Sequence, residues 1–152
     1  MTGSSTPDAS GGSSTGVDGQ PVVVEAPAKV NLSLLVGPPQ EDGYHPLSTV
    51  FVPLDLVDRL EIRLEARAHG TPERSHAFEV VCPGVAHNEN LVTRALRSLE
   101  ARTGFTFSGR LVVHKQIPKG AGLGGGSSDA ATALRAAAEL IGRSGGPSLS
   151  LR

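Results

Sequence analysis

Apolar and polar positions alternate with a period of two along much of this chain and give way elsewhere to the helical period. Val22, Val23 and Val24 predict a short strand that Pro27 interrupts. From Lys29 to Val36 the apolar residues Val30, Leu32, Leu34 and Val36 alternate with polar ones that include Lys29, Asn31 and Ser33. That pattern predicts a strand with one packed side and one polar side. The stretch 38–43 reads as a loop, with Tyr44-His45-Pro46 directly after it, and residues 48–54 return to strand composition. Arg59 to Glu65 alternates charge with Leu and Ile, which predicts a strand at the edge or on the outer face of a sheet. Ala77 to Cys82 predicts a further strand that ends at Pro83-Gly84.

Asn88 or Asn90 is placed to cap a helix whose apolar stripe is Leu91 or Val92, Ala95, Leu96 and Leu99, with Gly104 as its stop. Arg110 to Ile117 predicts a strand leading into a glycine-rich run. Ser128 or Asp129 then opens an alanine-rich helix to about Ile141, with Ala130, Leu134, Ala137, Ala138 and Ile141 along one side. Asp129 is expected to cap it. Gly142 ends it, and Gly145-Gly146-Pro147 reads as a turn or linker. The order of elements predicts one α+β domain without internal repeats over residues 21–152, preceded by a disordered Gly/Ser/Thr tail at 1–20.

Charge narrows the function. Fourteen basic and 15 acidic side chains in 152 residues give a formal net charge of -1, without the basic excess of a dominant nucleic-acid surface. Cys82 is the single cysteine, which excludes an intrachain disulfide and points to a cytoplasmic setting. No apolar run has membrane-spanning length, and the first 20 residues have neither the basic start nor the apolar core of a signal peptide. His69, His76, His87 and His114 form no metal-ligand pattern, and each reads as a surface or strand histidine.

The glycine run changes the picture most. Pro118-Lys119-Gly120-Ala121-Gly122-Leu123-Gly124-Gly125-Gly126-Ser127-Ser128 lies between a predicted strand and a predicted helix. Bare backbone amides and a helix N-terminus aimed at one point make a phosphate cradle. Two familiar phosphate patterns fit poorly. Gly120-x-Gly122-x-x-Gly125 satisfies the dinucleotide fingerprint, but no acidic residue follows Glu139 to hold a ribose. The Gly-Lys-Ser/Thr ending of a P-loop is missing, because Lys119 stands on the other side of the run. A third kind of cradle fits, with amides from Gly122 to Gly126, hydroxyls from Ser127 and Ser128, and Ser128 within reach of a metal ion.

Three blocks carry a resemblance. They are Ala26-Pro27-Ala28-Lys29-Val30-Asn31-Leu32, then Asp42-Gly43-Tyr44-His45-Pro46-Leu47, then Pro118 to Ala131. In this order they resemble the N-terminal part of GHMP-type small-molecule kinases. Most specifically, they resemble the family that phosphorylates 4-diphosphocytidyl-2-C-methyl-D-erythritol in the non-mevalonate isoprenoid pathway. Asn88-Glu89-Asn90-Leu91-Val92 adds support.

The resemblance implies a ribosomal-protein-S5-like (S5 domain 2-like) fold and transfer of the ATP γ-phosphoryl group to the substrate 2-hydroxyl. It implies that ATP binds through Pro118, Lys119, Gly120, Ala121, Gly122, Leu123, Gly124, Gly125, Gly126, Ser127 and Ser128, with Mg2+ accompanying it. It further implies that Lys29 is the active-site lysine, that Asn31 belongs to the substrate site, and that Tyr44 and His45 recognise the cytosine. The residues themselves agree with these roles. Lys29 and Asn31 are two apart and share one strand face. A lysine can stabilise charge on a transferring phosphoryl group, and a tyrosine can stack on a pyrimidine. A helix cap is as good a reading of Asn90 as an adenine contact.

The family's catalytic aspartate lies in a Gly-x-Asp-Val-Pro-like segment that follows this region, and no such segment occurs in the 152 residues. Asp129 does not match it. The expectation is therefore a domain truncated before that segment and before the family's C-terminal domain, inactive alone. The alternatives are a noncatalytic nucleotide-binding remnant and an S5-like interaction domain.

Overall fold

The structure, a computed structural model, describes residues 20–70, 77–87 and 89–149. The expected tail up to residue 19, the alternative cap Asn88 and His76 lie outside the described residues. The elements are strands β1 (Val22–Val36), β2 (Leu47–Ala68) and β3 (Phe78–Val81), helix α1 (Leu91–Thr103), strand β4 (Phe105–His114) and helix α2 (Gly125–Arg143). The strands form one mixed sheet in the order β1-β2-β4-β3. The pairs β1/β2 and β2/β4 are antiparallel, and β3/β4 is parallel.

Period-two burial builds the core. Leu60, Ile62, Leu64 and Ala66 are buried from β2, with exposed Arg59, Arg63, Glu65 and Arg67 between most of them. Phe105, Phe107, Leu111 and Val113 are buried from β4, and Phe78 and Val80 from β3. Val92, Leu96 and Leu99 of α1 and Ala133, Ala137 and Ile141 of α2 complete the same cluster. Small residues on α2 let it lie close to α1 and to the β1/β2 pair. Phe78 and Phe107 meet edge to face at 6.5 Å, and the Arg97 guanidinium lies 4.4 Å from the Phe78 ring centre, a cation–π contact over the sheet end.

The α+β class holds, and several boundaries differ from the sequence reading. Pro27 does not interrupt β1. The strand runs through it with register shifts between Pro27 and Lys29 and between Asn31 and Ser33, where bulges accommodate irregular pairing. Residues 48–54 and 59–65 belong to one 22-residue strand. β2 is flanked by β1 and β4, so its charged side is the outer face of the sheet and not an edge. β4 begins at Phe105 and ends at His114, ahead of the expected 110–117. Leu32, Leu34 and Val36 remain exposed at 69%, 51% and 60%, so the expected packed side of this strand has no covering layer.

The caps also divide. Asn90 caps α1, its side chain accepting from the Val92 amide at 2.8 Å, and Gly104 ends the helix at φ 70. α2 begins earlier than expected, at Gly125, with Gly124 in the left-handed conformation as its N-cap. Asp129 is therefore not a cap. It lies one turn inside the helix, buried. α2 continues past Gly142 to Arg143.

Candidate functional site

Residues 118–127 form one wall of a cleft of about 340 Å³ that also takes in Val85, Leu91, Lys115 and Asp129, while Ser128 is not among its lining residues. Gly120, Gly122 and Gly124 have φ of 72, 73 and 71, a region that side chains with a Cβ rarely adopt. Nothing lies within 4 Å of a Cβ built on Gly120 or Gly122. Those two glycines are required by backbone conformation, and packing does not demand them. At Gly124 both reasons apply, because a Cβ would stand 2.9 Å from Lys29 Cε.

No side chain caps the N-terminus of α2, and its first turn has no acidic residue. The amides of Gly125, Gly126 and Ser127 therefore lack intrahelical acceptors and lie at the positive end of a 19-residue helix. Chemically this is an anion site. Lys119 does not join it through its ammonium, which donates to the carbonyls of Gly84 at 2.6 Å and Pro83 at 3.2 Å. It anchors the start of the run to the turn after β3.

Lys29 reaches the run from β1. Its amide donates to Leu123 O at 2.9 Å, and its ammonium donates to Gly122 O at 3.1 Å and to Asn31 Oδ1 at 2.6 Å. Asn31 in turn donates to Thr49 Oγ1 at 2.6 Å, and Thr49 donates to Ser33 O at 2.7 Å. A polar row thus leads from the glycine run along the β1/β2 hairpin. Tyr44 and His45 are not brought to the run. They sit in the hairpin's connecting loop, beyond Val36, and seven residues of strand separate that end from Lys29, on the order of 20 Å. Tyr44 is 76% exposed. The His45 Nδ1–H donates to Gly37 O at 2.8 Å, which fixes the ring against the loop.

Beneath the run lies a charge cluster that the sequence reading missed. Asp58 of β2 is fully buried. Its carboxylate accepts from the Lys115 ammonium and from the amides of Gln116 at 2.5 Å and Ile117 at 2.9 Å. Lys115 also donates to Asp129 Oδ2 at 2.8 Å. Burial pushes Asp58 up, but its hydrogen bonds from Lys115 and the two amides outweigh that and hold it below its usual value. Burial pushes Asp129 above its usual value despite Lys115. Burial opposes the Lys115 charge, yet its hydrogen bonds to Asp129 and Asp58 raise its pKa. Burial also raises the half-buried thiol of Cys82, at the cleft rim, so it is not a poised nucleophile.

A sequence signal for this cluster exists. Asp58 shares the buried phase of Leu60 and Ile62, Lys115 continues that of Leu111 and Val113, and Asp129 lies four residues before Ala133. Charges on an apolar phase are partnered inside the fold or they do not persist there.

A larger cavity, 660 Å³, lies between α2 and strands β1, β2 and β4, with Val22, Val24, Ile62, Leu64 and Ala136 in its wall. It does not include the glycine run, which lines the smaller cleft; Lys29 lines neither and meets the run through Gly122 and Gly124. Among the described residues no group of three or more His, Cys, Asp or Glu side chains is placed to hold a metal ion. No described helix is long and apolar enough to cross a membrane.

The family described as GHMP kinases N terminal domain matches residues 90–150. A 4-diphosphocytidyl-2-C-methyl-D-erythritol kinase from Bordetella parapertussis is 51% identical over 119 residues, covering 78% of this chain and 38% of that protein. One from Anaeromyxobacter sp. strain K is 44% identical over 120 residues, covering 79% and 37%. A crystal structure of 4-(cytidine 5'-diphospho)-2C-methyl-D-erythritol kinase is similar with a TM-score of 0.55 and 42% identity, covering 78% of this chain and 40% of that one. The chain thus spans about two fifths of the length of these relatives.

Proposed function

We propose, from the match of residues 90–150 to the family described as GHMP kinases N terminal domain, that this chain is the nucleotide-binding part of an ATP-dependent small-molecule kinase acting in the cytoplasm. Its acceptor is the 2-hydroxyl of 4-diphosphocytidyl-2-C-methyl-D-erythritol, the compound in the names of its relatives. The observation that carries the proposal is the meeting of Lys29 with the glycine run at the open N-terminus of α2.

ATP lies in the cleft with its phosphates along residues 118–128. The amides of Gly125, Gly126 and Ser127 and the helix dipole hold phosphate oxygens in fixed positions. The apolar wall of Val85 and Leu91 suits a purine ring. Lys29 has two of its three N–H groups assigned, to Gly122 and Asn31. Its positive charge is held over the run, where it stabilises negative charge on the transferring phosphoryl group. Asn31 orients that ammonium and meets the acceptor end of the substrate. Tyr44 and His45 take the cytosine at the far end of the polar row, Tyr44 by stacking its exposed ring. Magnesium would be held by phosphate oxygens and would offset phosphate charge.

The test is Gly124→Val. A branched side chain at φ 71 with Lys29 Cε 2.9 Å from its Cβ must displace either the backbone or the lysine. ATP affinity, read by calorimetry on samples with matched circular dichroism, is expected to fall by about tenfold or more. An unchanged affinity in a folded variant would remove the cradle assignment.

A further inference from the structure

Three separate elements each place one charge beneath the glycine run, and together they fix where α2 starts. Asp58 comes from β2, Lys115 from the residue after β4, and Asp129 from α2. Side-chain exposure is 0% for Asp58, 16% for Lys115 and 5% for Asp129. Asp58 holds the chain as it leaves β4, through the Gln116 and Ile117 amides. Lys115 joins that point to α2 through Asp129.

The contact with the helix start is close. A Cβ on Gly125 would lie 2.9 Å from Ile117 Cγ2 and 3.2 Å from Lys115 Nζ. The ammonium is therefore packed against the first residue of α2, directly behind the amides that face the cleft. Lys115, Gly125 and Asp129 all line that cleft. Asp129 Oδ1 is buried and has no hydrogen-bond partner. A buried carboxylate oxygen left in this state is costly, and the Lys115 bridge to Oδ2 offsets that cost.

We propose that Lys115 is a positioning residue for polyphosphate. By bridging Asp58 and Asp129 it holds the first turn of α2 at the depth and angle where the Gly125, Gly126 and Ser127 amides converge on one phosphate. The inference rests on the phosphate-cradle reading above. Lys115 acts on the phosphates through Asp129 and α2. Its effect passes through the helix terminus, so it scales with the phosphates bound and not with the base.

That dependence separates positioning from general support of the fold. ATP and adenosine are titrated into the wild-type chain, Lys115→Met, and Asp129→Asn. Lys115→Met keeps the aliphatic stem and removes the bridge. Asp129→Asn is nearly isosteric, leaves the Lys115–Asp58 pair in place, and serves as the test if Lys115→Met does not fold. The expected result is an ATP affinity lowered by about tenfold or more in the folded variant, with adenosine affinity unchanged. ATP affinity equal to wild type, or ATP and adenosine weakened by the same factor, would overturn the proposal while leaving the cradle intact. A wild-type chain that binds no ATP would overturn the cradle reading and this proposal with it.

Discussion

Lys29, Gly124 and Lys115 show how single residues acquire meaning from what surrounds them. Lys29 and Asn31 were legible as a polar pair on one strand face, and the structure adds the Gly122 carbonyl and the Gly124 contact that tie the pair to the glycine run. Asp129 was legible as a charge near a helix start, but its partner Lys115 is fourteen residues away in sequence and reaches it only through packing. The cluster makes a prediction about pH. Asp58 has a lowered pKa, so its stabilisation is complete above the ordinary carboxylate range and is lost as pH falls through the lowered value. Lys115 has a raised pKa, so its stabilisation is complete below the ordinary lysine range and is lost as pH rises through the raised value. Asp129 works the other way, since its raised pKa makes the fold progressively less favourable as pH rises from the ordinary carboxylate range through the raised value. Thermal melts across pH are expected to show an acid loss that Asp58→Asn flattens. At neutral pH that variant is expected to melt earlier, by about 3 kcal/mol of stability, because it weakens a buried ion pair. An acid limb identical in the variant would show that another carboxylate governs it.

At the scale of elements, the period of the pattern was a better guide than the residues that usually interrupt it. Pro27 and Pro53 both lie inside strands, and the register shift between Pro27 and Lys29 opens the ladder near them. A reading that stops strands at proline divides β1 and β2 and misses their continuity. Similarly, Ser128 and Asp129 look like a cap because they precede an alanine run, yet Gly124 in the left-handed conformation starts the helix four residues before Ser128. Asn90 is the contrasting case, where sequence and structure agree on the cap. Asn90→Ala is expected to cost about 1 kcal/mol, read as a lower melting temperature, because the Val92 amide loses its acceptor inside a buried helix start. A melt unchanged within error would mean that the cap does not support α1.

At the scale of the whole molecule, burial was the least legible property. Alternation predicts which side of a strand is apolar, but it does not predict whether anything covers that side. Leu32, Leu34, Leu35, Val36, Leu47, Val50 and Phe51 are all exposed on the β1/β2 hairpin, while the same two strands are buried where α2 crosses them. The cleft is more complete than the hairpin, since the glycine run, the start of α1, Lys115 and Asp129 all line it, with Lys29 bonded to the run at Gly122. The central claim is that nucleotide binding resides in the glycine run and the open N-terminus of α2. The most direct measurement is ATP binding with Mg2+ present, recorded on folded samples of the 152-residue chain and of its Gly124→Val variant. Saturable ATP binding that Gly124→Val weakens is the predicted result. Absence of binding in the folded chain, or an affinity that Gly124→Val leaves unchanged, would contradict the account.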